Sequence, residues 1–158
     1  MAPSAFIDFE TLRDAPVTAD AAAIEAVNPH RGAMRLLTAV THRDAEDASL
    51  LGAYYDVPTD AFWVPGHIPG RPIFPGVLML EAAAQLCSYS CITHFPDIAF
   101  MGFAGADAIK FRGQVSPGDR LYLALRQVEL KKRRSICDVQ GFIGGNLVFE
   151  CRIKGMPL

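Results

Sequence analysis

Between residues 76 and 95 the chain becomes almost uniformly apolar. In "GVLMLEAAAQLCSYSCITHF" only Glu81, Gln85, Ser88, Ser90, Thr93 and His94 are clearly polar. The alanines and leucines favour helix, and Pro75 before Gly76 suits a helix entrance better than an interior. A helix that is apolar nearly all round must be buried, in protein or in lipid. Glu81 and Gln85 lie early in the segment, and no basic cluster flanks it. A carboxylate at the centre of a membrane helix costs about 2.5–3.5 kcal/mol. A helix buried in protein is therefore expected, with no membrane span.

The rest of the pattern is shorter in period. Asp20 is placed to cap a helix through "AAAIEAV", ended by Asn28-Pro29. "MRLLTAV" (34–40) and "SLLGAYYDV" (49–57) read as strands around an acidic turn at 43–47. "IAFMGFAGADAIKFRG" (98–113) reads as a long, glycine-bearing strand that is bent or bulged. After the "SPGD" turn (116–119), "RLYLALRQVELKKRR" (120–134) alternates Leu121, Leu123 and Leu125 against Tyr122, Ala124 and Arg126. "SICDVQGFI" and "LVFECRIK" flank Gly144-Gly145-Asn146, a hairpin signal. In the last strand Leu147, Phe149, Cys151 and Ile153 share one face. One buried helix on an antiparallel sheet of about five or six strands is an α+β arrangement. Residues 1–19 read as an irregular N-terminal extension and 20–158 as one domain.

Composition narrows the function classes. Of 158 residues, 51% are hydrophobic and 20% charged, which is globular and not disordered. The net charge of −2 offers no global field for nucleic acid. "KKRR" at 131–134 is the one strong cationic run, and reads first as a solvated strand end. The N-terminus lacks the basic and apolar regions of a signal peptide, so a cytoplasmic protein with reduced thiols is expected. Cys87, Cys91 and His94 would share a helix face, but no fourth ligand is evident nearby. They read as packed core, and no metal is expected.

The chemistry concentrates in "PGHIPGRPIFPGVLMLEAAAQ" (65–85). Pro69, Pro72 and Pro75 fix their own φ and restrict Ile68, Arg71 and Phe74 before them. The surrounding Trp63, Val64, Ile73 and Phe74 argue for a loop held in a fold and against an exposed PxxP ligand. This stiff loop places His67 near a helix N-terminus, whose open N–H groups carry partial positive charge. Gly76 adds no side chain there, so a carbonyl oxygen can dock and be polarised. Glu81, in apolar surroundings, is expected to have a raised pKa and to stay protonated as an acid. Neutral His67 can accept a proton. Base, acid and polarising N–H suit β-elimination if they converge. Gln85 is one turn beyond Glu81, within reach of its carboxyl. His30, in "NPHRG", reads as a loop histidine with no evident acid partner.

"GHIPGRPIFPGVLMLEAAAQ" (66–85) closely resembles the signature of the (3R)-3-hydroxyacyl-acyl-carrier-protein dehydratases of type II fatty acid synthesis, the FabZ type. "NPHR" (28–31) resembles that family's Pro-His-Arg element, and "FAGADAIKFRGQVSPGDRL" (103–121) its strand and Pro-Gly-Asp turn. The resemblance implies a hot-dog fold, a long central helix wrapped by a bent antiparallel sheet. It implies homodimers, often three to a hexamer, with sites at the dimer interface and no cofactor. It places His67 as catalytic base, Glu81 as catalytic acid and Gly76 as the N–H that binds the thioester carbonyl. In the family the His and the Glu come from opposite subunits. The related dehydratase/isomerase branch has Asp where this chain has Glu81. Thr38-Ala39, Pro65, Ile68 and Phe74 depart from the common pattern.

The implied reaction takes (3R)-3-hydroxyacyl-acyl carrier protein to the trans-2-enoyl thioester. Ile68, Phe74, Val77 and Phe111 are the candidate acyl tunnel. Lys110, Arg112, Lys131, Lys132, Arg133 and Arg134 are candidate docking charges for an acidic carrier protein. A hot-dog acyl thioesterase and a non-catalytic acyl-thioester binder stay open as alternatives.

Overall fold

A single long helix lies at the centre of the molecule, as its apolar circumference requires. The computed structural model describes residues 3–44 and 49–158. In chain order the elements are α1 (Phe9–Asp14), α2 (Ala21–Val27), a 3-10 turn (Gly32–Met34), β1 (Ala39–Arg43), β2 (Leu50–Asp56) and α3 (Gly76–His94). There follow β3 (Met101–Phe111), β4 (Arg120–Lys131), β5 (Arg134–Ile143) and β6 (Asn146–Pro157). The strands form one antiparallel sheet in the order β1-β2-β4-β5-β6-β3.

The central helix touches β2, β3, β4, β5 and β6. Five strands span roughly 19 Å at the usual interstrand spacing, while a helix with its side chains is about 10–12 Å across. The sheet must therefore curl round α3 instead of lying flat against it. This is the hot-dog fold, with six strands and an open edge at β3. Leu121, Leu123 and Leu125 of β4 are wholly buried against α3 residues such as Ala82, Ala83 and Leu86. Phe149, Cys151 and Ile153 of β6 join the same core. The β5–β6 hairpin turns at Gly144 and Gly145, both at positive φ, where a side chain would be strained. Among the described residues, no helix is long and apolar enough to cross a membrane.

Four expectations need correction. Residues 1–19 are not simply irregular: Asp8 caps α1 through a bond from Thr11 N–H, and Leu12 is fully buried. With Ile7 it packs on the outer face of the sheet against Ala124 and Phe142. Residues 34–38 are not strand. Leu36 and Leu37 are buried, but the Leu36 N–H donates to Gln85 Oε1 instead of to a sheet neighbour. The 120–134 run is not one strand: it folds back at Lys132-Arg133, so Lys131 pairs with Arg134. No glycine, proline or asparagine marks that turn. The fourth concerns β6, where Val148 is buried alongside Phe149 because a register shift interrupts the alternation. Positions 45–48, with most of the expected acidic turn, lie outside the described residues. The strand expected to bend does so: β3 shifts register twice against β6, and Ala108 sits at φ +50°.

If α1 is part of the core, Leu12→Ala should destabilise the protein by about 2–5 kcal/mol. The measurement is a urea titration, with a lower midpoint and an unchanged slope. An unmoved midpoint would make α1 an appendage.

Candidate active site

The proline loop is pinned at several points. The His67 N–H donates to Trp63 O at 2.8 Å, and the His67 carbonyl accepts from Ile73 N–H at 2.9 Å. A tight turn links Ile68 and Arg71 by reciprocal backbone bonds, with Gly70 at φ +74°. Phe74 closes the loop by donating to Val115 O at 2.7 Å, while its ring is buried between Trp63 and Tyr55. The His67 ring inherits this order. Its Nδ1 lies 2.8 Å from the Ile73 carbonyl. A carbonyl only accepts, so Nδ1 carries the proton and Nε2 of the neutral ring holds the lone pair.

The loop delivers the chain to α3 at Pro75, which has no side-chain cap. Among the described residues, nothing within the chain accepts from the Gly76 or Val77 N–H. These are the open donors of a helix N-terminus. Gly76 is required by close approach: a Cβ there would lie 2.8 Å from the Phe111 ring. Phe111 in turn stacks on Phe149. A pocket of about 360 Å³ opens at this point, lined by His67, Gly76, Phe74, Val77 and Phe111. Of the expected tunnel residues, Ile68 does not line it and is half exposed. Ile73, Met79, Gly113 and Gln114 line it and were not foreseen.

Glu81 occupies a different pocket, of about 170 Å³, between α3 and strands β3 and β6. The two pockets share no residue. Five residues of helix carry Glu81 about 140° round the axis from Gly76, so one chain does not bring His67 and Glu81 together. The surroundings of Glu81 overturn two expectations. Its Oε1 accepts from Gln85 Nε2 at 2.8 Å and lies 3.2 Å from His30 Nε2. So His30, read as unpartnered, meets the acid directly. And the carboxyl is not raised. Burial is the largest single influence and pushes its pKa up. The bonds from His30 and Gln85, with the charge of His30, together outweigh burial and hold it below the ordinary value of 4.5.

The "NPHR" element is built onto α3. The buried Asn28 donates from Nδ2 to the Gln85 backbone carbonyl at 2.9 Å. Arg31 ties the loop by donating to the carbonyls of Asn28, His30 and Glu25. The candidate docking charges divide into two groups. Lys110 and Arg112 flank Phe111 and share Glu150, at 3.5 and 2.6 Å. Lys131 and Arg134 pair with Glu129, Lys132 pairs with Asp97, and Arg133 sits in the β4–β5 turn. From Arg134 to Gly141, which registers through Phe149 with Phe111, β5 runs roughly 23 Å. Within one chain the two groups lie at opposite ends of the sheet. Cys87 and Cys91 are buried free thiols, and Cys87 turns toward Cys137. Among the described residues, no cluster of three or more ligating side chains could hold a metal ion.

Comparison with known proteins places these features in a family. The family model described as FabA-like domain matches residues 28–152. The 3-hydroxyacyl-[acyl-carrier-protein] dehydratase FabZ of Campylobacter jejuni is 33% identical over 142 residues, covering 87% of this chain and 96% of its own. The FabZ of Lawsonia intracellularis is 36% identical over 126 residues, 77% of this chain and 81% of its own. Among solved structures, the dehydratase heterocomplex ApeI:P of Xenorhabdus doucetiae superposes with a TM-score of 0.72. It is 16% identical and covers 85% of this chain and 90% of that one, a likeness of fold.

Two outcomes follow from this geometry. Gly76→Ala should overpack the helix start and destabilise by about 1–3 kcal/mol, and adding Phe111→Leu should return much of the loss in thermal denaturation. No rescue would mean that Phe111 is not what excludes the Cβ. Glu81, held below its ordinary value, stabilises the fold above the unfolded carboxyl value of 4.5 and loses that contribution as pH falls through the folded value. In the single chain, with no second copy over the pocket, carbon-detected NMR of the side-chain carboxyl should show a midpoint under 4.5. A midpoint above it would mean that burial has outweighed the two donors.

Proposed function

The chain belongs to the FabA-like domain family and is a dehydratase; on that premise we propose that it converts (3R)-3-hydroxyacyl-acyl carrier protein to the trans-2-enoyl thioester and water, as part of type II fatty acid synthesis. The observation that carries this reading is the fixed tautomer of His67 beside the open N–H groups of Gly76 and Val77. The thioester carbonyl docks at those N–H groups, where developing enolate charge meets donors that need no reorganisation. His67 Nε2 takes the proton from C2. The C3–O bond breaks, and the leaving hydroxyl receives a proton from Glu81 to depart as water.

Glu81 of the partner subunit is the acid in this reading, because one chain keeps the two residues in separate pockets. The open edge of β3 supports such pairing. Phe103, Ile109 and Phe111 stand exposed along it, an apolar row that a second copy would cover. The same cover explains how an acid that rests ionised in one chain can work. The Glu81 side chain is still 28% exposed here, and removing that solvent strengthens the burial that already favours the protonated form. Substrate entering the pocket acts in the same direction. The acyl chain follows Phe74, Val77 and Phe111. Lys110 and Arg112, beside Phe111, are the docking charges closest to that mouth.

The test is incubation with carrier-bound 3-hydroxyacyl substrates, with products followed by mass spectrometry. The expected product is the intact thioester lighter by one water, whereas free acid and thiol would identify a thioesterase. His67→Ala and Glu81→Gln should each lower kcat by about 10²–10⁴. Co-expressed, the two inactive subunits should regain activity, because a mixed dimer has one interface site with both residues intact. If each chain supplied both residues to its own site, mixing would restore nothing.

A further inference from the structure

The Glu81 carboxylate has two oxygens with unequal surroundings. Oε1 meets two nitrogens, Gln85 Nε2 from its own helix and His30 Nε2 from the loop after α2. Among the described residues, nothing within the chain donates to Oε2. Both nitrogens near Oε1 are themselves held. Gln85 is 2% exposed, and its amide is fully used: Nε2 donates to Glu81 and to Met34 O, and Oε1 accepts from Leu36 N–H. His30 is fixed by the backbone on both sides, through Asn28 on α3 and through Arg31 on its own carbonyl. Its Nδ1 is sealed from solvent without a partner. A buried ring nitrogen with no acceptor is better satisfied as a lone pair than as an N–H. A ring with one proton therefore carries it on Nε2, 3.2 Å from Glu81 Oε1.

We infer that His30 is a positioning residue for the dehydration: its Nε2–H and the Gln85 amide together hold Glu81 Oε1, which fixes the carboxyl rotamer and leaves Oε2 for the substrate's C3 hydroxyl. The inference rests on the dehydratase reading of Glu81. His30 touches neither substrate nor reacting atoms, and acts by orienting the group that does. The two histidines thus serve in opposite tautomers. His67 gives its Nδ1 proton to a carbonyl and keeps Nε2 as a base, while His30 keeps Nε2 as a donor.

The same contact sets when the acid is charged. Both donors favour the carboxylate, and burial opposes them. Cys87 is the other ionisable group lining this pocket, and β3 and β6 bring only uncharged residues to it. Across the interface proposed above, the facing titratable group is His67. Removing the His30 donor leaves burial less opposed, so Glu81 is protonated up to a higher pH. An acid is active when protonated, and its activity is lost as pH rises through its pKa. The alkaline limb of kcat that belongs to Glu81 therefore moves to higher pH, while the plateau falls because the carboxyl is no longer held.

The experiment compares kcat and KM across pH for the wild-type enzyme and for His30→Phe, His30→Gln and His30→Asn, on a carrier-bound 3-hydroxyacyl substrate. His30→Phe should lower plateau kcat by about tenfold to a hundredfold, the worth of one hydrogen bond to a charged group, with KM little changed and the alkaline limb displaced upward. His30→Gln places an amide nitrogen where Nε2 was and should restore most of the rate and the original limb. His30→Asn reaches only as far as Nδ1 and should not. Wild-type kcat and limb in His30→Phe would overturn the inference. So would equal losses in Gln and Asn that track lowered melting temperatures, since that pattern marks a role in folding alone. An inactive wild-type enzyme would sink the dehydratase reading itself, and the role of His30 with it.

Discussion

Burying α3 takes Gln85 and much of Glu81 out of water, along with the small hydroxyls of Ser88 and Ser90, and much of the architecture follows from satisfying the first two. An unpaired buried amide or carboxylate costs more than any single contact in this fold returns. Gln85 meets the requirement with three bonds into residues 28–36, through its own backbone carbonyl and its side chain, and a fourth to Glu81. Those bonds keep 34–38 out of the sheet although the residues are apolar enough for strand. They also bring His30 to Glu81. The segment that closes the core over one end of the helix is thus the segment that organises the acid, and stability and site geometry share one set of hydrogen bonds.

The other half of the site depends on stiffness in the backbone. The proline loop is pinned by backbone bonds within itself and by one to Val115 O, so His67 is held against Ile73 O. Phe111 lies across the start of α3, so a side chain at position 76 would have to push its ring aside. An aromatic wall and a bare helix N-terminus therefore arrive together. Widening the wall or adding a side chain at 76 each disturbs the other.

The sequence was most informative where one principle acted alone. The helix from Gly76 to His94, the capped helix after Asp20, the alternating leucines of β4 and the glycine turn at 144–145 were all readable, because apolar period, capping and φ preference left little competition. His67, Gly76 and Glu81 stood out by residue type in a stiff loop and an apolar helix. What stayed hidden depended on contacts far apart in the chain. His30 and Glu81 are 51 residues apart, and the docking of residues 28–36 on Gln85 brings them into contact. The expected pKa of Glu81 failed for the same reason, since burial was visible in the sequence and the two donors were not. The turn at Lys132-Arg133 was hidden by its composition, and α1 by its brevity, six residues with the burial of Leu12 deciding the matter. A sequence signal for His30 did exist: the Pro-His-Arg element at 29–31, unexplained until its partner was seen.

In the proposed reading the base and the acid stand in separate pockets of one chain. The His67 ring is oriented by the Ile73 carbonyl, and the Glu81 carboxyl is held by Gln85 and His30. Each pocket thus sets its group's orientation before the other is near. The elimination needs them together only when substrate lies between, with C2 on one side and the C3 hydroxyl on the other. An interface between two copies of the chain would bring them that close. It would also complete the burial that an acid held low in one chain still lacks. In this arrangement the assembly of the dimer and the readiness of Glu81 to give up a proton are one event.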